Sequence, residues 1–123
     1  MSDGKITGIV QAAFAVTDMA RAVAFYRDTV GLPLTFTTAG MTFFDAGGVR
    51  LLLGPPQPDQ SPGGDAVLYF GAEDFTAAEA CLSARGVTFM RDAQVIQREG
   101  AREHCLRFFA DPDGHTLGLM GWR

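Results

Sequence analysis

The sequence predicts an α+β fold built from two tandem βαβββ modules. Three observations carry that expectation. Proline and glycine crowd residues 55–65 and divide the 123-residue chain almost in half. The succession of apolar alternation, capped helix and apolar runs before that break returns after it. Each half has one helical stretch and several strand-like ones, so helices would cover one sheet face and leave the other available.

The elements follow in order. Gly8 to Val16 alternates as a strand, with Val10, Ala12, Phe14 and Val16 on one face and Gln11, Ala13 and Ala15 on the other. Thr17 and Asp18 offer a cap to the helix behind them. That helix runs to about Val30 on a stripe of Ala22, Val23, Phe25, Tyr26 and Val30, and Gly31 ends it. Leu34 to Thr38, Met41 to Ala46 and Val49 to Gly54 read as strands, parted by Ala39-Gly40 and Gly47-Gly48. Beyond the linker, Ala66 to Gly71 is a strand, Glu73-Asp74 a cap and Phe75 to Arg85 a helix stopped by Gly86. Val87 to Met90, a segment near Val95 to His104 and a final hairpin supply the remaining strands. The hairpin turns at Asp111-Pro112-Asp113-Gly114, where proline presets φ and glycine takes the left-handed position. After it, Thr116, Gly118 and Met120 share one face, and Leu117 and Leu119 the other.

Composition narrows the function. With 47% hydrophobic and 20% charged residues, the chain is an ordinary folded protein. A net charge of −4 argues against nucleic acid and against an anionic membrane surface. No run is long enough to span a bilayer and the first residues lack a signal-peptide pattern, so the cytoplasm is the expected location. Cys81 and Cys105 lack metal or redox spacing and are expected as reduced, largely buried small hydrophobes. No serine sits in a nucleophile elbow, and no glycine pair opens a phosphate-binding helix.

Val16-Thr17-Asp18, the run from Ala24 through Phe25-Tyr26-Arg27-Asp28 to Gly31-Leu32, and Phe108-Phe109-Ala110-Asp111-Pro112-Asp113-Gly114-His115 together resemble the vicinal oxygen chelate superfamily. That superfamily includes glyoxalase I, bleomycin-resistance proteins, fosfomycin-resistance enzymes and extradiol dioxygenases. The resemblance implies a single domain with module one at about 7–54, a linker at 55–65 and module two at about 66–121. It implies a curled mixed sheet around a cavity, with helices on its outer face. It also implies a homodimer whose sites the partner chain helps to complete.

Metal-dependent members resembling this chain place ligands on the first and last strands of each module. Carried over position by position, these fall on Gln11, Leu52, Val67 and Gly118. Three of the four lack a side-chain donor, and one amide cannot hold a divalent ion. No metal and no cofactor are therefore expected. The same faces propose a ligand-binding set of Gln11, Arg50, Leu52, Val67, Tyr69, His104, Phe108, Gly118 and Met120, with Leu106 as wall and Ala13, Ala15 and Gly71 leaving room. His104 would be a general base or anchor, or a surface histidine at a strand end. Arg50 would bind an acidic ligand or lie at a solvated strand edge, and Tyr69 would stack or donate, or simply form wall. Trp122 would line the cavity mouth or a dimer contact, or anchor the chain end. Segment 91–104 would be a lid or a solvated hairpin.

The expected function is bleomycin-resistance-like: metal-free binding, possibly sequestration, of a small aromatic or amphipathic molecule in an apolar cleft. The charge of −4 is compatible with an acidic cleft for a basic compound. The alternative is a metal-dependent or metal-independent enzyme of the lyase or dioxygenase type, the latter using His104 and Tyr69. A third reading is a structural module with no ligand of its own.

Overall fold

A computed structural model describes residues 4–58 and 65–123. Part of the proline- and glycine-rich linker, residues 59–64, lies outside the described residues. Module one contains β1 (Gln11–Ala15), α1 (Met19–Ala24), β2 (Leu34–Thr38), β3 (Met41–Asp45) and β4 (Arg50–Gly54). Module two contains β5 (Leu68–Ala72), α2 (Phe75–Ala84), β6 (Gln94–Glu99), β7 (Arg102–Ala110) and β8 (Thr116–Trp122). Asp18 and Asp74 cap the two helices by accepting from the backbone N–H groups of Arg21 and Ala77, each at 3.1 Å. The first helix continues in wider π-helical turns over Phe25–Val30 and ends at Gly31, whose φ of 89° is left-handed.

The strands form two separate four-stranded sheets, ordered β1-β4-β3-β2 and β5-β8-β7-β6. The pairs β1–β4 and β5–β8 are parallel and the others antiparallel. The repeat legible in the sequence is thus a repeat of topology. One face of each sheet enters a single shared core. Phe14, Phe44, Leu51 and Leu53 come from the first sheet, Cys105, Phe109, Leu117 and Leu119 from the second, and Ala22, Tyr26, Phe75 and Leu82 from the helical segments. Burial of these side chains, at about 1.5–3 kcal/mol each, is the main term holding the modules together. The opposite face of each sheet is left outside that core.

The Asp-Pro-Asp-Gly turn adds a polar latch between modules. Asp111 Oδ1 accepts the N–H groups of Asp113 and His115, both at 2.9 Å, and Gly114 occupies φ 87°. Asp111 Oδ2 accepts from the Tyr26 hydroxyl at 2.6 Å and from His115 Nδ1 at 2.7 Å, all in the interior. The His115 ring stacks on Phe14 at 4.1 Å. Asp113 Oδ1 accepts from the Thr17 N–H at 3.0 Å and its hydroxyl at 2.6 Å. Burial first, then the Asp111 hydrogen bond and charge, push the Tyr26 hydroxyl pKa far up, so it stays protonated and donating.

Several local expectations need correction. Val87 to Met90 is not a strand: β6 takes the place beside β7, leaving this segment a backbone bond from Met90 N–H to the Phe108 carbonyl at 2.9 Å. The stretch 95–104 is two strands, because Gly100 turns the chain at φ 62°. Arg98, Glu103 and Arg123 form ion pairs across that end of the sheet, at 2.8 and 3.1 Å, and segment 91–104 contains a sheet hairpin. Both cysteines are free, but only Cys105 is buried; Cys81 is exposed, lying on α2 beside a cavity that the core does not fill. Among the described residues, no helix is long and apolar enough to cross a membrane.

Candidate functional site

Strand register decides which side chains share the open faces. On module one, Gln11 lies opposite Arg50, Ala13 opposite Leu52, and Leu52 opposite Phe43, with Phe36 beside Phe43. On module two, Tyr69 and Phe108 flank Gly118, Leu106 lies opposite Met120, and His104 opposite Trp122. Alternation therefore places eight of the nine expected residues on these two faces. Val67 precedes β5 and is exposed.

Each face carries a pair of neighbouring rings, stacked in module one and tilted in module two. Phe36 lies on Phe43 at 4.3 Å between centroids, with the Arg50 guanidinium 5.5 Å from the Phe43 centroid. Tyr69 meets Phe108 at 6.0 Å, and the Arg91 guanidinium lies 5.3 Å from the Phe108 centroid. Both arginines are within cation–π range. Phe36, Phe43 and Arg91 were missed by sequence reasoning. Alternation of Met41, Phe43 and Asp45 would have signalled Phe43, but no local pattern places Arg91 over a strand distant from it.

Gly118 is closely covered by its neighbours. A Cβ there would stand 3.0 Å from the Tyr69 ring and 3.2 Å from Leu106, so these side chains fill the space a ligand-bearing side chain would use. With Leu52 and Val67 also lacking donors, the four family positions do not fit a divalent ion. Among the described residues, no three His, Cys, Asp or Glu side chains gather elsewhere as a potential metal site.

His104 stacks on Trp122 at 4.7 Å, while Arg102 lies 4.8 Å from that indole. Trp122 is thereby tied into the end of the sheet. Gly118, beside Tyr69, is separated from Trp122 by roughly 13 Å of strand. The fold does not bring His104 and Tyr69 together as an acid–base pair.

Two clefts run along β5 where the modules meet. One, about 240 Å³, joins Arg50 of module one to Tyr69 of module two, with Ile9, Val49, Leu51, Leu68 and Phe70 among its walls. The other, about 410 Å³, lies toward the helices and is lined by Val30, Leu32, Phe70, Cys81, Leu82, Arg85 and Phe109, among others. Tyr69 and Phe70 border both. Leu52 lines a separate hollow of about 110 Å³ with Ala13 and Met41. Arg50 and Tyr69 are thus the expected residues that line one cleft between the modules within one chain.

Residues 8–119 match a family model described as Glyoxalase/Bleomycin resistance protein/Dioxygenase superfamily. A superfamily member from Sphaerobacter thermophilus is similar in structure, with a TM-score of 0.75, 26% identity and coverage of 94% of this chain and 98% of that one. TnmS3, an antibiotic binding protein from Streptomyces sp. CB03234, gives 0.73 at 25% identity, covering 94% of this chain and 96% of its own. A lactoylglutathione lyase from Agrobacterium tumefaciens gives 0.73 at 22% identity, covering 95% of each chain; that likeness shows the fold alone.

Proposed function

Given that the chain belongs to the Glyoxalase/Bleomycin resistance protein/Dioxygenase superfamily, we propose that it binds a small aromatic or amphipathic molecule without a metal ion. The observation that carries this reading is the packing at Gly118: the family's ligand position has no donor, and an aromatic ring lies across it. The ring-lined faces offer apolar burial and stacking, each aromatic contact contributing about 0.5–1.5 kcal/mol beyond area. Likeness to an antibiotic-binding protein supports sequestration as the use of such a site. The proposal includes a homodimer, because each module leaves its ring-lined face outside the core of its own chain. It places the protein in the cytoplasm, in keeping with two free cysteines.

A thermal-shift screen against uncharged and charged aromatic compounds, with and without EDTA, tests this function. Binding that chelator leaves intact, with substoichiometric metal by elemental analysis, is expected. Stoichiometric nickel, zinc, manganese or iron, or binding abolished by EDTA, would overturn it in favour of a metalloenzyme. Sedimentation velocity should find two copies of the 13.2 kDa chain; a monomer at high concentration removes the homodimer from the proposal.

A further inference from the structure

The charge of the whole chain misdescribes its site. The net charge is −4, yet the acidic side chains near the sheets are largely engaged away from the open faces. Asp18 and Asp74 cap helices. Glu79 pairs with Arg107 at 2.8 Å, and Glu103 pairs with Arg98 and Arg123. Asp111 and Asp113 form the latch. One carboxylate, Asp45, lies in register with Arg50, and its Oδ1 accepts the N–H groups of Gly47 and Gly48 at 3.0 and 3.2 Å.

Arginines show the opposite pattern. Arg50 and Arg91 form no ion pair among the described residues, although Asp92 follows Arg91 directly in the chain. Each instead lies beside a phenylalanine of an open face. Among the described residues, Arg50 is the one charged group lining the 240 Å³ cleft, and Arg85 the one lining the 410 Å³ cleft. Arg85 donates to the Thr29 carbonyl at 3.1 Å, so it is partly committed to structure. Apolar walls with a guanidinium that forms no ion pair among the described residues make the 240 Å³ cleft a site for a molecule that is apolar in body and negative at one end. A cationic ligand would meet like charge in that cleft, whose lining holds no carboxylate among the described residues, with Asp45 across the strand from Arg50 as the nearest acid in register.

We propose that the ligand is an aromatic anion, a carboxylate or a phenolate. Its rings lie against Tyr69 and the apolar walls of the 240 Å³ cleft, and Arg50 receives its charge. This rests on the small-molecule reading above and names the class of ligand. It reverses the basic-compound expectation that net charge suggested.

The test uses three probes of one shape: 2-naphthoate, 2-naphthalenemethanol and 2-naphthylmethylammonium, titrated calorimetrically into the full-length protein. The carboxylate should bind about five- to tenfold tighter than the alcohol, and the ammonium no tighter than the alcohol. Raising NaCl from about 50 to about 500 mM should shrink the carboxylate's advantage. Arg50→Gln should lower the carboxylate-to-alcohol ratio toward one, while Arg50→Lys keeps most of it. Circular dichroism checks that each variant folds; should a glutamine variant not fold, the lysine variant and the salt series decide. Equal binding of all three probes, or preference for the ammonium, overturns the anion assignment and leaves small-molecule binding intact. Failure of all three to bind overturns both.

Discussion

Tyr26 is the residue on which the most physics converges. Its ring is fully buried among Phe14, Phe25 and Phe44, and its hydroxyl donates to Asp111. Because folding raises its pKa, the folded state holds a proton that the unfolded chain releases above about pH 10. Its contribution to stability is therefore complete below that pH and is lost as pH rises further, by up to about 1.4 kcal/mol per pH unit. Urea denaturation between about pH 8 and 11 should show this alkaline loss, and Tyr26→Phe should flatten it. The same substitution removes a hydrogen bond to a buried carboxylate and should cost about 1.5–3 kcal/mol at neutral pH. Two glycines give a second residue-scale contrast. A Cβ at Gly121 would stand 2.5 Å from the Ala72 carbonyl oxygen, which is backbone and cannot swing aside. At Gly118 the obstacle is the Tyr69 ring, which is 49% exposed and has room to move. Gly121→Ala should therefore cost about 2–3 kcal/mol and Gly118→Ala about 1 kcal/mol or less in denaturant titrations.

Elements whose signals are local were legible in the chain. The pairs Thr17-Asp18 and Glu73-Asp74 predicted both helix starts, and in each it is the aspartate, Asp18 or Asp74, that accepts a backbone N–H. Replacing either with Ala should lower stability by about 1 kcal/mol, measured by thermal denaturation; a null effect would deny the cap its role. β2 spans Leu34–Thr38 as its composition indicated. Elements whose partners are distant were less legible. Val87 to Met90 has strand composition, but β6 holds the neighbouring place in the sheet. β6 and β7 looked like one segment because only Gly100 and Ala101 separate the polar edge strand β6 from the polar start of the interior strand β7. The π-helical turns over Phe25–Val30 had no sequence signal, since the apolar stripe there serves wide and ordinary helical turns alike.

At the scale of the molecule, the Asp-Pro-Asp-Gly turn changes meaning. In the chain it marks a hairpin; in the fold its two carboxylates tie module two to Tyr26 and Thr17 of module one. Asp111→Ala strands the Tyr26 hydroxyl and His115 in the interior and should cost about 3–5 kcal/mol in denaturant titrations. The sequence by itself determined the two βαβββ modules, the family, and the strand faces of most of the side chains it singled out, because strand alternation and turn chemistry are local rules. Tertiary structure alone decided that the modules share one core and that Arg50 and Tyr69 line one cleft. It also set Arg91 against Phe108 and Tyr69 across Gly118. Those contacts join residues far apart in the chain, and their geometry is fixed only when both sheets pack on the same interior.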